Sequence, residues 1–172
     1  MAKTEHYYVK FEEGKFYHVY NRSVDKMPMF KGNDNYEFFL KQYSHYISPV
    51  AETYAYCLLG NHFHLLIRIN ERLQNVSENQ EANTVKTTHD IVSKAFRNFF
   101  RSYSMAFNKQ QGRIGTLFQT PFKRVCVDDE LYYTHLVYYI HANPQVHRLV
   151  DDFRDWPWSS YNSIISDKPT RL

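Results

Sequence analysis

The chain is poor in whatever builds fibres, staples or membrane spans. Only 5 glycines occur in 172 residues, which excludes collagen-like and low-complexity character. Two cysteines, Cys57 and Cys126, are too few for a disulfide framework and have no partner at metal-motif spacing. Each sits in an apolar, strand-like run and reads as a reduced core residue of a cytoplasmic protein. No stretch approaches the ~18 consecutive apolar residues that a membrane helix needs. Met1 to Lys10 lacks the apolar segment of a signal peptide. Acid is scarce in one place. Between Lys86 and Arg124, the cations Lys86, Lys94, Arg97, Arg101, Lys109, Arg113, Lys123 and Arg124 face Asp90 alone. Such a segment is either a solvated helix face or a surface for a polyanion, and nucleic acid is the commonest polyanion.

Aromatic side chains are plentiful, with 15 Tyr and 13 Phe in a composition 43% hydrophobic. A chain of this length fits one compact domain with a substantial core. "FYHVYNR", Phe16 to Arg22, is aromatic and β-branched and predicts a strand. Tyr36, Phe39, Leu40, Tyr43 and Ile47 recur at helical spacing, so a helix is expected from Asp34 to Ile47, closed by Pro49. Strands follow at Thr53 to Leu59 and Phe63 to Ile69, joined at the hairpin signal Gly60-Asn61. Residues 70–89 are polar and read as a surface loop or insertion. Val92, Phe96, Phe99, Phe100, Tyr103 and Phe107 mark a long amphipathic helix, with Lys94, Arg97 and Arg101 on a separate stripe. Phe122 to Val127 is the last strand. A final helix opens at Asp128, Asp129 and Glu130, where acids suit the positive terminus, and should end near Asn143 ahead of Pro144. "DWPWSSYNSI" reads as a packed extension. The order β-α-β-β-α-β-α gives an α+β fold: a ferredoxin-like antiparallel sheet with helices on one face, in a single domain over 1–172.

Strand alternation sorts "GNHFHLLIRI" into two faces. Phe63, Leu65, Ile67 and Ile69 form a core face, while His62, His64, Leu66 and Arg68 point the other way. Two imidazoles a residue apart on one face, ~7 Å apart at Cα, can converge on one divalent ion. The pair alone is ambiguous, since paired histidines on a strand often bind nothing. The last helix adds to it. On a wheel of ~100° per residue, Tyr133, Leu136, Val137 and Ile140 share a sheet-facing side. Tyr132, His135, Tyr139 and Asn143 share a polar stripe, with Tyr139 and Asn143 one turn apart. A tyrosine beside a two-histidine metal site suits attack of a phenolate on a phosphodiester, which forms a phosphotyrosine and releases a 3′-hydroxyl. Since a phenol ionises near pH 10, the nucleophile needs a metal, a base or cations, and His135 is placed to assist or to contact DNA.

Together these stretches resemble a known family. "NHFHLLI" is similar to the His-hydrophobic-His motif of HUH endonucleases. "LVYYIHANPQVHRLV" resembles the helix of their single-tyrosine transposase branch, and "DWPWSSY" is most similar to the REP-associated tyrosine transposases. "FYHVYNRS" and "LFQTPFKRVCVDDE" extend the resemblance over nearly the whole chain. It implies a ferredoxin-like nuclease and strand transferase of single-stranded DNA that recognises hairpins and uses Mg²⁺ or Mn²⁺. By position it makes His62 and His64 metal ligands and Tyr139 the nucleophile. It puts Asn143 where the family supplies a third ligand, although some members carry the longer Gln there. Lys94, Arg97, Arg101, Lys123 and Arg124 become candidate phosphate contacts. The resemblance leaves monomer and homodimer both open. Two other readings remain: a domesticated protein that binds structured nucleic acid without cutting, and a two-histidine phosphoesterase. The second normally repeats a His-X-Thr/Ser element, and no second copy is present.

Overall fold

The structure is a computed structural model that describes residues 9–73 and 86–166. Strand β1 (Phe16–Arg22) leads to helix α1 (Asn33–Ile47), then to β2 (Ala51–Leu59) and β3 (His62–Ile69). Helix α2 (Thr88–Gln111), strand β4 (Lys123–Val127), helix α3 (Glu130–Val146) and a short helix α4 (Tyr161–Ile165) complete the chain. The four strands form one antiparallel sheet in the order β2-β3-β1-β4, the ferredoxin-like arrangement expected from the sequence. Most of the predicted loop over 70–89 lies outside the described residues. Its end differs from expectation, because α2 begins at Thr88 and takes in His89. The reason is a capping box, in which Thr87 accepts from the Asp90 amide while the Asp90 carboxylate accepts from the Thr87 amide.

One face of the sheet carries the main core. Tyr17 and Val19 of β1 and Phe63, Leu65, Ile67 and Ile69 of β3 pack with Phe39 and Tyr43 of α1 and Phe96, Phe99 and Tyr103 of α2. The two amphipathic helices supply the stripes that their periodicity promised. Phe99 is wholly enclosed and meets Phe39 and Tyr43 edge-on, so Phe99→Ala would cost about 3–5 kcal/mol by the usual scale of core aromatics.

Helix α3 departs from the expected placement of all helices on one face. Leu136 and Ile140 pack on Ala55, Cys57, Leu59 and Leu66, which belong to the opposite face of the sheet. The physical cause lies in β2 and β3. Both strands are apolar on both sides, so a single helical layer leaves Cys57, Leu59 and Leu66 uncovered, and α3 covers them. A second departure is at its end. The helix runs past Asn143 and through Pro144 to Val146. It closes where Arg148 takes a left-handed conformation at φ 58. There the Arg148 amide donates to the Gln145 carbonyl and the Leu149 amide to that of Pro144. This Schellman closure, with Ala142, Asn143 and Pro144 buried, outweighs the preference against helix before proline.

The extension that follows α3 covers the open edge of β2. Leu58 donates its amide to the Trp158 carbonyl, Ser160 donates to the Tyr56 carbonyl, and the Trp156 indole donates to the Leu58 carbonyl. Trp158 stacks on Tyr36 with ring centroids 4.5 Å apart. An exposed edge strand is thereby capped by the chain's own tail.

Candidate functional site

The site forms where the second face of β1 and β3 meets α3. Alternation places His18, Tyr20 and Arg22 of β1 beside His62 and His64 of β3, with Tyr20 opposite His64 and Arg22 opposite His62 in the ladder. Leu136 and Ile140 hold α3 against this face, and between them Tyr139 lies over the histidines. Its ring is edge-on to His64, centroids 5.4 Å apart, and edge-on to His18 at 6.4 Å. Tyr139 is 47% exposed, so its phenol is reachable from solvent. A cleft of about 280 Å³ opens here, lined among others by His62, His64, Lys123, Tyr139 and His147. A neighbouring depression is shared by His18, His64, Tyr132, His135 and Tyr139.

Hydrogen bonds orient both histidines. His62 Nδ1 lies 2.7 Å from Asn61 Oδ1, an acceptor only, so Nδ1 carries the proton and Nε2 keeps its lone pair. His64 Nδ1 lies 2.9 Å from His18 Nε2. In one tautomer pair His64 donates from Nδ1 and leaves Nε2 as a base; in the other His18 donates and His64 Nε2 is protonated. Only the first can bind a metal through Nε2. Burial, then the neighbouring His18 and His62, pushes His64 down to about 2. Burial, with His147 and Arg22 close by, pushes His62 down to about 4, and burial alone brings His18 to about 4. All three rings are neutral at neutral pH, the form that ligates metals.

The donor chemistry therefore fits a divalent ion, which His62 and His64 would hold through Nε2. Among the described residues, no group of three His, Cys, Asp or Glu side chains is arranged to hold an ion by itself. Asn143 does not line the cleft. It is 1% exposed, and its Nδ2 donates to the Tyr139 carbonyl at 2.7 Å. That bond ties it to the backbone of α3 rather than presenting it on the polar stripe where the wheel put it.

The basic residues divide. Lys123 faces the cleft, its Nζ 5.9 Å from the Tyr20 ring centre. Lys94, Arg97 and Arg101 stand exposed on the outer side of α2. Arg124, expected to meet phosphate, is instead 8% exposed, with its guanidinium over Phe11 and Phe122 and its Nε donating to the Val9 carbonyl. The ladder explains the difference. Arg124 pairs with Val19, on the core face, whereas Lys123 pairs with Tyr20, on the site face.

Two residues of the site are not evident from the sequence. His18 is hidden in a strand marked only by its β propensity, although alternation from Tyr20 puts it on the face of the histidines. His147 caps the end of α3, and its ring centroid is 4.9 Å from that of His62. It lies beyond Pro144, where the helix is expected to have stopped.

No family model matches the chain. A Haemophilus influenzae protein named for the REP-associated tyrosine transposases is 29% identical over 114 residues, which cover 66% of this chain and 61% of that protein. The match thus spans about three fifths of the relative's length. A solved structure of a REP-associated tyrosine transposase bound to a REP hairpin superposes with TM-score 0.66, at 19% identity, over 95% of this chain and 84% of the other. The chain is similar to the REP-associated tyrosine transposases in sequence and in fold. At that identity, the structural likeness to the hairpin-bound transposase is one of fold. Among the described residues, no helix is long and apolar enough to cross a membrane.

Proposed function

We propose that this protein is a metal-dependent endonuclease and strand transferase that acts on single-stranded DNA at hairpin-bearing ends. The observation that carries the reading is the approach of Tyr139 to His64, edge-on at 5.4 Å, in a cleft shared with His62. The Tyr139 oxygen attacks a backbone phosphorus, the bond from phosphorus to the 3′ oxygen breaks, and a 5′-phosphotyrosine and a 3′-hydroxyl result. The phenolic proton must leave and the 3′ oxygen must gain one. His135, one turn before Tyr139 and lining the same depression, is placed to move that proton. His62 and His64 would hold a Mg²⁺ or Mn²⁺ ion through their Nε2 atoms, and such an ion would supply Lewis-acid polarisation of the scissile phosphate. Lys123 adds a positive charge at the cleft wall. Because the bond energy is kept in the phosphotyrosine, a second 3′-hydroxyl can reverse the step and rejoin the strand elsewhere.

The test is covalent capture. Full-length protein with Mn²⁺ or Mg²⁺ and hairpin-bearing single-stranded oligonucleotides should give a protein–DNA adduct that survives denaturant. Tyr139→Phe should abolish it, and so should chelation of the metal. An adduct that persists in Tyr139→Phe would remove Tyr139 from the role. Tight hairpin binding with no adduct for any substrate would favour a domesticated protein that binds structured nucleic acid without cutting.

A further inference from the structure

One charged side chain of the cleft has no task in the reaction proposed above. Arg22, the last residue of β1, lines the cleft of about 280 Å³ together with His62, His64 and Tyr139. It stands opposite His62 in the ladder, on the face that carries the histidines. Its backbone is engaged on both sides. The Arg22 amide donates to Asn21 Oδ1, and the Arg22 carbonyl accepts from the Gln119 amide. The chain beneath the guanidinium is therefore fixed, and the side chain alone is left to meet a ligand.

What surrounds this guanidinium points to an anion. Arg22 is half-buried, where an arginine normally finds partners for its N–H donors. Elsewhere in the protein that holds. Arg68 pairs with Glu71 and donates to the Gly14 carbonyl, and Arg124 donates to the Val9 carbonyl. Among the described residues, Arg22 has no acid within ion-pair distance, and its guanidinium has no hydrogen-bond acceptor. No Asp or Glu lines the cleft, and Lys123 adds a second cation there. After burial and the neighbouring imidazoles, the Arg22 charge also weighs against protonation of His62 and His64, so it lies close to both rings. Cations beside neutral rings, with no acid to balance them, match a phosphate group.

We propose that Arg22 is a further catalytic residue, whose guanidinium grips the non-bridging oxygens of the scissile phosphate as negative charge builds on them. The inference rests on the strand cleavage proposed above and adds the group that meets this charge. When the Tyr139 oxygen attacks, the attacking and leaving oxygens stand in line and charge spreads over the equatorial oxygens. A planar fork of N–H donors meets two such oxygens at once, which the point charge of Lys123 does not. Arg22 stays protonated throughout, so it donates hydrogen bonds and moves no proton. A role in holding the metal is excluded by sign, because a guanidinium beside His62 and His64 repels a cation.

The experiment uses full-length protein, Mn²⁺ and a hairpin-bearing oligonucleotide in two forms. One carries the natural phosphate at the position the protein cuts. The other carries a methylphosphonate there, in which a methyl group replaces one non-bridging oxygen and removes the negative charge. Rates of covalent adduct formation are compared at saturating DNA. Arg22→Ala should slow the phosphate form by about 100–1,000-fold, the usual cost of a lost oxyanion donor. It should slow the methylphosphonate by less than about fivefold, because less charge develops there. Arg22→Lys, which keeps the charge and loses the fork, should fall between the two proteins. Hairpin affinity, read by anisotropy, should change less than about threefold, since the contact strengthens in the transition state. Mn²⁺ affinity, read by paramagnetic resonance, should hold or rise, and an unchanged thermal transition shows that the fold is intact. The inference is overturned if Arg22→Ala slows both forms equally, the mark of a residue that only shapes the cleft. It is equally overturned if hairpin or Mn²⁺ affinity falls as far as the rate. If no protein cuts the methylphosphonate, Arg22→Lys decides: part of the rate regained supports the inference, and a loss as deep as that of alanine overturns it. An adduct that forms at the same rate without Arg22 removes the inference and leaves the proposed function standing. If the unaltered protein forms no adduct with the phosphate form, both fall together.

Discussion

At the scale of single residues, the site is a set of imidazoles whose protons are assigned by their neighbours. Asn61 decides the tautomer of His62, and the 2.9 Å contact between His18 Nε2 and His64 Nδ1 couples the tautomers of those two rings. A ligand ring needs its second nitrogen held, because a partner on Nδ1 both fixes the ring plane and leaves Nε2 to the metal. His18 is buried, while Tyr20 stacks on both His18 and His64 and keeps their planes nearly parallel. The expected outcome of His18→Ala is a loss of about 10–100-fold in Mn²⁺ affinity, the usual cost of removing such a partner. Titration of unbound Mn²⁺ by paramagnetic resonance measures it without reference to cleavage. His18→Gln, which can accept from the His64 Nδ1–H, should recover part of the loss. A variant that binds Mn²⁺ as well as the unaltered protein would show that His64 needs no help from His18.

At the scale of elements, the contribution of each helix follows from how it begins and ends. The strands around the histidines, the hairpin between them and the apolar stripes of α1 and α2 are legible in the sequence because period and turn chemistry are local properties. His62, His64 and Tyr139 are legible for the same reason, through their spacing on a strand and on a helix wheel. What is not legible depends on long-range pairing. The burial of Arg124 comes from its ladder partner Val19, and the place of α3 from apolar residues on the second face of β2 and β3. The end of α3 is hidden because Pro144 signals a stop that the packed helix overrides. The actual stop is Arg148 at φ 58, a conformation in which most helix ends carry glycine. Arg148→Gly removes the strain of a Cβ in the left-handed region, roughly 1–2 kcal/mol, and loosens the unfolded chain by somewhat less. The expected balance is a stabilisation of about 0.5–1 kcal/mol, read as a higher urea midpoint at unchanged slope. Helix α2 gives the opposite case, since Thr87→Ala removes half of its capping box and should cost about 1 kcal/mol in the same measurement.

At the scale of the whole molecule, the sheet separates two jobs between its faces. One face, with α1 and α2, holds an aromatic core that is indifferent to pH. The other carries three touching histidines under α3, and these make stability depend on proton concentration. An unfolded histidine titrates near 6.5, whereas burial holds His18 and His62 at about 4 and His64 at about 2 in the fold. Between those values the unfolded chain binds more protons than the folded one, so stability rises with pH in this window. It is fully present above about 6.5 and is lost as pH falls from there toward 4, at roughly 1.4 kcal/mol per pH unit for each group that titrates only on unfolding. Because the rings touch, protonation of one opposes that of the next, and the fold cannot escape by charging all three. Urea midpoints should therefore fall between pH 6.5 and pH 5 by an amount equivalent to about 2 kcal/mol or more. His18→Asn combined with His64→Asn should flatten that slope. Saturating Mn²⁺, if these rings hold it, should raise the midpoint by a similar amount across this window, because the folded rings are already neutral there, and the gain should shrink only as pH falls toward 4 and protons compete for them. A midpoint unmoved by Mn²⁺ at pH 7 would separate the two properties, leaving a histidine cluster that serves the fold and holds no ion.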